Sequence, residues 1–164
     1  MLSHGERCAS QEIRELPAEA AGLSTRTTNH KNILLGIKVL VVEDEKDTKD
    51  LLTFLLESRG ATTLSADNVS DALQIFTKEQ PRIVVTDIGL PEYNGYALIA
   101  AVRHAKSELR RTPVIALTAY STPADRDTAL ISGFDEYLSK PFEPEELIRT
   151  IKRLCDQHRI DTAA

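Results

Sequence analysis

From Ile37 onward, short runs of branched and aliphatic residues alternate with longer stretches whose apolar residues recur every three or four positions. The most apolar runs begin at residues 39, 83 and 114, and each is typical of a strand buried on both faces. Shorter strands are predicted at 62–65 and 136–138. Helical stretches between strands indicate parallel strands joined by crossover helices. The pattern therefore predicts an α/β domain with five strands and five helices.

Glycines, prolines and small polar residues mark the ends of these helices. The first helix is predicted over 46–58 and should end before Gly60. Its inward stripe is predicted to consist of Leu51, Leu52, Leu55 and Leu56. Asn68 with Asp71 predicts the start of the second helix, and Thr122, Pro123 and Asp125 predict the start of the fourth. The third and fifth helices are predicted over 96–106 and 144–158.

Residues 1–36 lack this alternation. Their apolar residues are scattered, and four basic side chains balance four acidic ones. We expect a flexible N-terminal extension with one short helix over 11–15, followed by a single domain over 37–158 and a tail over 159–164.

The composition supports a single compact domain. The chain has 164 residues, of which 41% are hydrophobic and 27% charged. No apolar run approaches the roughly 20 residues of a membrane span, and no secretory signal is recognisable, so we expect a cytoplasmic protein without membrane contact. Cys8 and Cys155 are far apart, and we interpret them as two reduced thiols without a role. The net charge of −5 argues against direct binding to nucleic acid.

Charged side chains and one hydroxyl stand at or just after the ends of the predicted strands. Glu43 and Asp44 follow the first strand, Asp87 ends the third, Thr118 ends the fourth, and Lys140 follows the fifth. Right-handed crossovers place these strand ends at one edge of the sheet, where α/β proteins bind ligands. Taken singly, they suit a helix start, an Asx turn or a solvated surface. Their common edge favours a functional site.

The sequence motifs at these positions are VLVVEDE, VVTDIGLPEYNG, IALTA and GFDEYLSKPF, in that order. Together they resemble the receiver domain of bacterial two-component response regulators, of the chemotaxis-regulator type, over residues 37–157. The resemblance implies a three-layer, flavodoxin-like receiver fold. In that fold a doubly wound parallel sheet has five strands in the order 2-1-3-4-5.

The resemblance also implies a chemistry for the site. Asp87 would accept a phosphoryl group from a histidine kinase or a histidine phosphotransfer protein. Lys140 and the Thr118 hydroxyl would bind its oxygens. A Mg²⁺ ion would be held by Asp44 and Asp87, by Glu43 directly or through water, and by the backbone carbonyl of Gly89.

A conformational switch would follow from the same contacts. Thr118 would move toward the phosphoryl group and Tyr137 would turn inward, changing the face formed by the fourth helix, fifth strand and fifth helix. The Lys140–Pro141 peptide bond would be cis, as in relatives. On that face, Asp135 and Glu136 opposite Arg149 and Arg153 would suit either a symmetric homodimer or a solvated charge pattern.

Two other functions stay open at this point. A phosphatase resembling the haloacid dehalogenases would also use a strand-end Asp, Mg²⁺ and a Lys. It needs a second acid where this chain has Gly89. A degenerate receiver would act as a constitutive binding module. The output partner is unknown, and Gly89 and Tyr120 leave the lifetime of the phosphoryl group open.

Overall fold

The computed structural model describes residues 30–119 and 122–162 of the chain. The short helix predicted over 11–15, Cys8 and Tyr120 lie outside these residues.

Strands and α-helices alternate along the described chain. The strands are β1 (Lys38–Val42), β2 (Thr62–Ala66), β3 (Ile83–Asp87), β4 (Val114–Thr118) and β5 (Glu136–Ser139). The helices are α1 (Lys46–Glu57), α2 (Val69–Glu79), α3 (Gly95–Arg103), α4 (Pro123–Ile131) and α5 (Pro144–Thr162). Short 3-10 helices cover His30–Asn32 and Ser107–Arg111. The predicted count of five strands and five helices is confirmed within these residues.

All five strands are parallel, in the order β2-β1-β3-β4-β5. This confirms the predicted fold class. The register aligns the strand ends: Val42 pairs with Thr86, Asp87 with Leu117, and Thr118 with Ser139. Residues that follow these strands therefore emerge at one edge of the sheet.

The uninterrupted apolar runs are explained by a core on each face of the sheet. In β1, Val39 and Val41 pack against α1 and α5, whereas Leu40 and Val42 pack against α2, α3 and α4. Both sets are fully buried or nearly so. A strand covered on both faces has no solvent side on which to place polar residues.

The inward stripe of α1 is narrower than predicted. Leu52 and Leu56 are buried, one turn apart, but Leu51 is 66% exposed and Leu55 is half-buried. Successive residues of a helix point about 100° apart, so a helix lying on a sheet cannot bury four leucines in two adjacent pairs equally. The prediction for Leu51 was wrong.

The folded domain begins before the predicted boundary at residue 37. Leu34 is fully buried in the layer formed with α1 and α5, and its backbone N–H donates to the carbonyl of Arg59 at 2.9 Å. Gly36, with φ +78°, then turns the chain into β1. The extension predicted over 1–36 therefore includes residues that belong to the core.

Two helix ends also differ from prediction. Helix α3 ends at Arg103 rather than Lys106, and α5 continues to Thr162 rather than ending near His158. No glycine or proline follows His158 to stop α5. None of the helices in the described chain is long and apolar enough to cross a membrane.

Arg103 connects several elements at the amino-terminal edge of the sheet, opposite the carboxyl ends of the strands. Its guanidinium donates to the carbonyls of Gly133 (2.7 and 3.0 Å), Arg110 (2.8 Å) and Thr112 (2.8 Å), and to the Asp135 carboxylate (2.6 Å). Asp135 also accepts from the first backbone N–H of β4 at 2.7 Å. A single side chain thus links α3, the second 3-10 helix and the starts of β4 and β5.

This contact changes the expected charge pattern of the last elements. Asp135 was predicted to face Arg149 and Arg153, but it binds Arg103 instead. Glu136 does pair with Arg153 at 2.7 Å, and it lies 3.8 Å from Arg126 of α4. The prediction for Asp135 was wrong, because the residues at the start of β5 point to opposite sides of the sheet.

Replacing Arg103 with Ala should lower the free energy of unfolding by about 2–4 kcal/mol, since the carbonyls and the Asp135 carboxylate would lose charge-assisted donors. Arg110→Ala is the control, because its side chain is exposed and the carbonyl remains; it should change stability by less than about 0.5 kcal/mol. Urea titration followed by circular dichroism measures both. Equal effects would contradict the role of Arg103.

Cys155 is 1% exposed, and burial raises the pKa of its thiol to about 11. A raised pKa keeps the thiol protonated, so at about pH 8 only about 0.1% of molecules would carry the thiolate. In a Cys8→Ser protein, a thiol-specific chromogenic disulfide should therefore react slowly with the native state and stoichiometrically in denaturant. Fast, complete reaction of the native protein would disprove this burial.

Candidate functional site

The strand ends place four charged side chains at one edge of the sheet. Glu43 follows β1 directly and is 2% exposed, while Asp44 beside it is exposed. The Asp87 side chain, at the end of β3, is 16% exposed, and that of Lys140, after β5, is 25% exposed. The Lys140–Pro141 peptide bond is cis, as expected. The structure brings together the four charged residues that the sequence predicted at this edge.

Glu43, Asp44 and Asp87 form a compact carboxylate cluster. Each offers an oxygen atom, and these three atoms lie within 4.8 Å of one another. Such crowding of negative charge is relieved by a cation, and carboxylate oxygens are the ligands that hard divalent ions prefer. The donor set fits Mg²⁺. Gly89 adjoins the cluster, because its N–H donates to Asp87 Oδ1 at 3.0 Å.

Lys140 supplies positive charge to the same cluster. Its Nζ lies 2.9 Å from Glu43 Oε2 and 3.4 Å from Asp87 Oδ2. The other Glu43 oxygen accepts the backbone N–H of Glu45 at 3.2 Å. Glu43 is thus held between a fixed N–H and the ammonium, which positions Lys140 beside Asp87.

Burial and the ion pair act differently on the pKa values of Glu43 and Lys140. Burial raises the pKa of the Glu43 carboxyl, and its bond with Lys140 only partly opposes this. Burial lowers the pKa of Lys140, but the hydrogen bond to Glu43 and the charge of Asp87 outweigh it, so the net shift is upward. Lys140 therefore stays charged at neutral pH, whereas burial disfavours the charged form of Glu43.

Thr118 and Tyr137 lie on neighbouring strands beside the cluster. Tyr137 is only 9% exposed and its side chain is hydrogen-bonded to that of Thr118. Burial raises the pKa of the Tyr137 phenol, as does the negative charge of Asp125, while the bond with Thr118 opposes the shift. The structure thus places Tyr137 inward with Thr118 in contact with it.

Sequence reasoning missed the residues around this tyrosine. A cleft of about 380 Å³ borders Thr118 and Tyr137, and Asn94, Tyr96 and Asp125 also line it. Asp125 was visible in the sequence only as a helix-capping residue, which it is, and the structure shows that Asn94 also caps a helix. Glu45, by contrast, is not part of the cluster, and its carboxylate accepts the Thr48 hydroxyl at 2.7 Å.

Comparison with known proteins decides the family. The sequence profile of the response regulator receiver domain matches residues 39–152. The chain belongs to the response regulator receiver family. A receiver domain is a phosphoacceptor of two-component signalling, and this is the function that the sequence resemblance implied.

Relatives extend the match beyond the profile. A protein of 14.6 kDa from Leptolyngbya boryana, described as uncharacterized, is 46% identical over 123 residues, which are 74% of this chain and 92% of that protein. The probable transcriptional regulator ycf27 of Porphyridium aerugineum is 37% identical over 123 residues, 73% of this chain but 50% of its own length. The chain thus spans about half of such regulators.

A solved receiver domain shares the fold of this chain. The receiver domain of sensor histidine kinase PA1611 from Pseudomonas aeruginosa PAO1, solved with a magnesium ion coordinated in its active-site cleft, is 30% identical. It superposes with a TM-score of 0.68 over 74% of this chain and 98% of that domain. These comparisons support the receiver and give no support to the phosphatase, whose second acid is replaced here by Gly89.

Asp44→Asn should weaken Mg²⁺ binding at least about tenfold, because it removes a charged oxygen from the cluster. Glu45→Gln is the matched control, since it neutralises the adjacent acid, which faces Thr48. Isothermal titration calorimetry measures both dissociation constants. If the two variants bind Mg²⁺ equally well, Asp44 is not a ligand.

Proposed function

We propose that Asp87 is the phosphoacceptor of this receiver, that the transfer from a phosphohistidine depends on Mg²⁺, and that phosphorylation changes the face formed by α4, β5 and α5. One observation carries the proposal. Asp87 lies at the carboxyl edge of the sheet beside the acids that follow β1, and its Oδ2 is 3.4 Å from the Lys140 ammonium.

The acceptor needs no general base, because a carboxylate nucleophile has no proton to lose before it attacks phosphorus. An Asp87 oxygen attacks phosphorus as the bond from phosphorus to the donor's imidazole nitrogen breaks, and the imidazole keeps that electron pair. Asp44, Asp87, the Gly89 carbonyl and, directly or through water, Glu43 would hold a Mg²⁺ ion, which would supply positive charge for the transferred group. Lys140 supplies the rest as a point charge beside Asp87.

Lys140 is placed for this role by Glu43. The ammonium bridges a buried carboxylate and the acceptor carboxylate, so it needs only a small displacement to reach an oxygen on a phosphorylated Asp87. The Glu43 bond prevents Lys140 from turning into solvent. Positioning of this kind lowers the barrier by removing reorganisation from the reaction itself.

The output signal begins at Thr118. When its hydroxyl donates to a phosphoryl oxygen, its bond with Tyr137 is weakened or lost, and the two neighbouring strand ends change their contacts. A useful population shift requires a few kcal/mol, which charge-assisted bonds from Thr118 and Lys140 supply. Tyr137 connects this change to α4, whose first turn borders the same cleft.

The partners follow from this chemistry. The donor is a histidine kinase or a histidine phosphotransfer protein, and the receiver acts in the cytoplasm, where its kinase presents the phosphohistidine. The output partner recognises the face of α4, β5 and α5. Glu136, paired with Arg126 and Arg153, gives that face alternating charges, which would suit a symmetric homodimer.

Acetyl phosphate with Mg²⁺ should add one phosphoryl group to the protein, and Asp87→Asn should abolish the modification. Asp67→Asn is the control, because Asp67 follows β2 at the same edge of the sheet but pairs with Lys49. Intact-mass spectrometry measures both. Labelling of the Asp87 variant at the unmodified protein's rate would refute the assignment, and a protein that is never labelled would be a constitutive binding module.

Lys140→Ala should retain partial labelling of Asp87 but lose the conformational response, because the ammonium holds the phosphoryl oxygen rather than the nucleophile. Backbone amide shifts of α4 and β5 before and after acetyl phosphate measure that response. The unmodified protein should not turn over a phosphomonoester repeatedly. Multiple turnover would favour the phosphatase instead.

A further inference from the structure

The cleft beside Tyr137 adjoins the carboxylate cluster but contains none of its three acids. It has a volume of about 380 Å³ and opens between the loop after β3 and the first turn of α4, with Gly89, Asn94, Tyr96, Thr118, Asp125 and Tyr137 in its walls. This volume lies within the range of small-ligand sites. The proposed phosphotransfer uses only its edge at Gly89 and Thr118.

Asp125 gives the cleft its charge. It is the only residue with a formal charge among the described residues that line the cleft. Its Oδ2 atom accepts the hydroxyl and the N–H of Thr122, at 2.6 and 3.2 Å, which fixes the carboxylate at the start of α4. Within residues 30–119 and 122–162, Oδ1 has no hydrogen-bond partner. The fixed carboxylate can therefore accept a further donor.

Two aromatic rings complete the walls. Tyr96 packs edge-to-face on Phe134, with ring centroids 5.9 Å apart and an interplanar angle of 78°, so its ring is held in place. Tyr137 stands in the same cleft and is largely buried. A carboxylate between two aromatic side chains attracts cations and repels anions.

We propose that this cleft binds an organic cation, a guanidinium or ammonium group, with Asp125 as its charged partner. The group is carried either by a basic side chain of a partner protein or by a free small molecule. Asp125 would accept its N–H donors, the Asn94 amide oxygen could accept another, and the Tyr96 and Tyr137 rings would provide cation–π contacts.

Gly89 couples this cleft to the acceptor. A Cβ atom placed on Gly89 would lie 3.7 Å from Asp87 Oδ1, so only a residue without a side chain separates the acceptor from the cleft. Negative charge added at Asp87 would therefore strengthen cation binding. This coupling rests on the proposed function, whereas binding to the unphosphorylated protein does not.

The direct test titrates full-length, ¹⁵N-labelled protein with N-acetyl-arginine amide and, separately, with the citrulline derivative, its neutral isostere. Saturable amide shifts should appear at Gly89, Tyr96 and Asp125, and the arginine probe should bind at least about tenfold more tightly than the citrulline probe. Equal binding of the two probes, or no saturable shift at these residues, would overturn the proposal.

Variants identify the charged partner. Asp125→Asn keeps an oxygen that can accept from Thr122, and it should weaken the arginine probe at least about tenfold. Asp127→Asn is the matched control, because it neutralises an exposed acid on the same helix that does not line the cleft, and it should have no effect. Tyr96→Phe, which keeps the ring, should retain binding, and Tyr96→Leu should lose part of it. Equal effects of the Asp125 and Asp127 variants would overturn the assignment.

Two further experiments test whether phosphorylation strengthens cation binding and whether the cation comes from a partner protein or a free small molecule. After treatment with acetyl phosphate or beryllofluoride, the arginine probe should bind about threefold more tightly or better; unchanged affinity would refute the coupling. If Asp87 is not the acceptor, the unmodified protein still distinguishes arginine from citrulline, so the two proposals fail independently. An arginine within an alanine pentapeptide should bind at least as well as the single-residue probe if a partner protein is the source. Exclusion of the peptide would assign the cleft to free cations.

Discussion

The mutual repulsion of three carboxylates at one end of the sheet is the constraint on which the site depends. Glu43, Asp44 and Asp87 stand at the ends of strands that are buried on both faces, so the core keeps their backbone positions close together. Lys140 offsets part of this repulsion. A bound divalent cation would offset the rest, and a phosphoryl group on Asp87 would alter the charge balance again. Stability of the scaffold thus maintains an unfavourable local arrangement that the chemistry uses.

The molecule divides its tasks between the two edges of the sheet. At the carboxyl edge, charged side chains stand on loops and strand ends, and Thr118 and Tyr137 connect them to α4. At the opposite edge, Arg103 joins α3, the starts of β4 and β5 and the 3-10 helix between them. In the proposed switch, this anchoring would hold one end of β4 and β5 while the other end responds to a change at Asp87.

In our proposal, the cleft at Asp125 would give this response a chemical output. Its walls come from the loop after β3, the end of β4, Tyr137 of β5 and the first turn of α4, and Gly89 in these walls adjoins Asp87. A cation bound there would sense the charge of Asp87 and the position of Tyr137 together. Recognition of a partner could therefore depend on phosphorylation without any large movement of the helices.

The sequence by itself determined the five parallel strands and the set of Glu43, Asp44, Asp87, Thr118 and Lys140, because apolar periodicity and crossover handedness fix which strand ends meet. The doubly wound strand order came from the resemblance of its motifs to receiver domains. The sequence could not determine that Leu51 is exposed, that Leu34 is in the core or that Asp135 binds Arg103. Nor could it bring Tyr96 and Asp125 to one cleft. Those outcomes depend on how a helix is rotated on the sheet and on contacts between residues distant in the chain, which only tertiary packing decides.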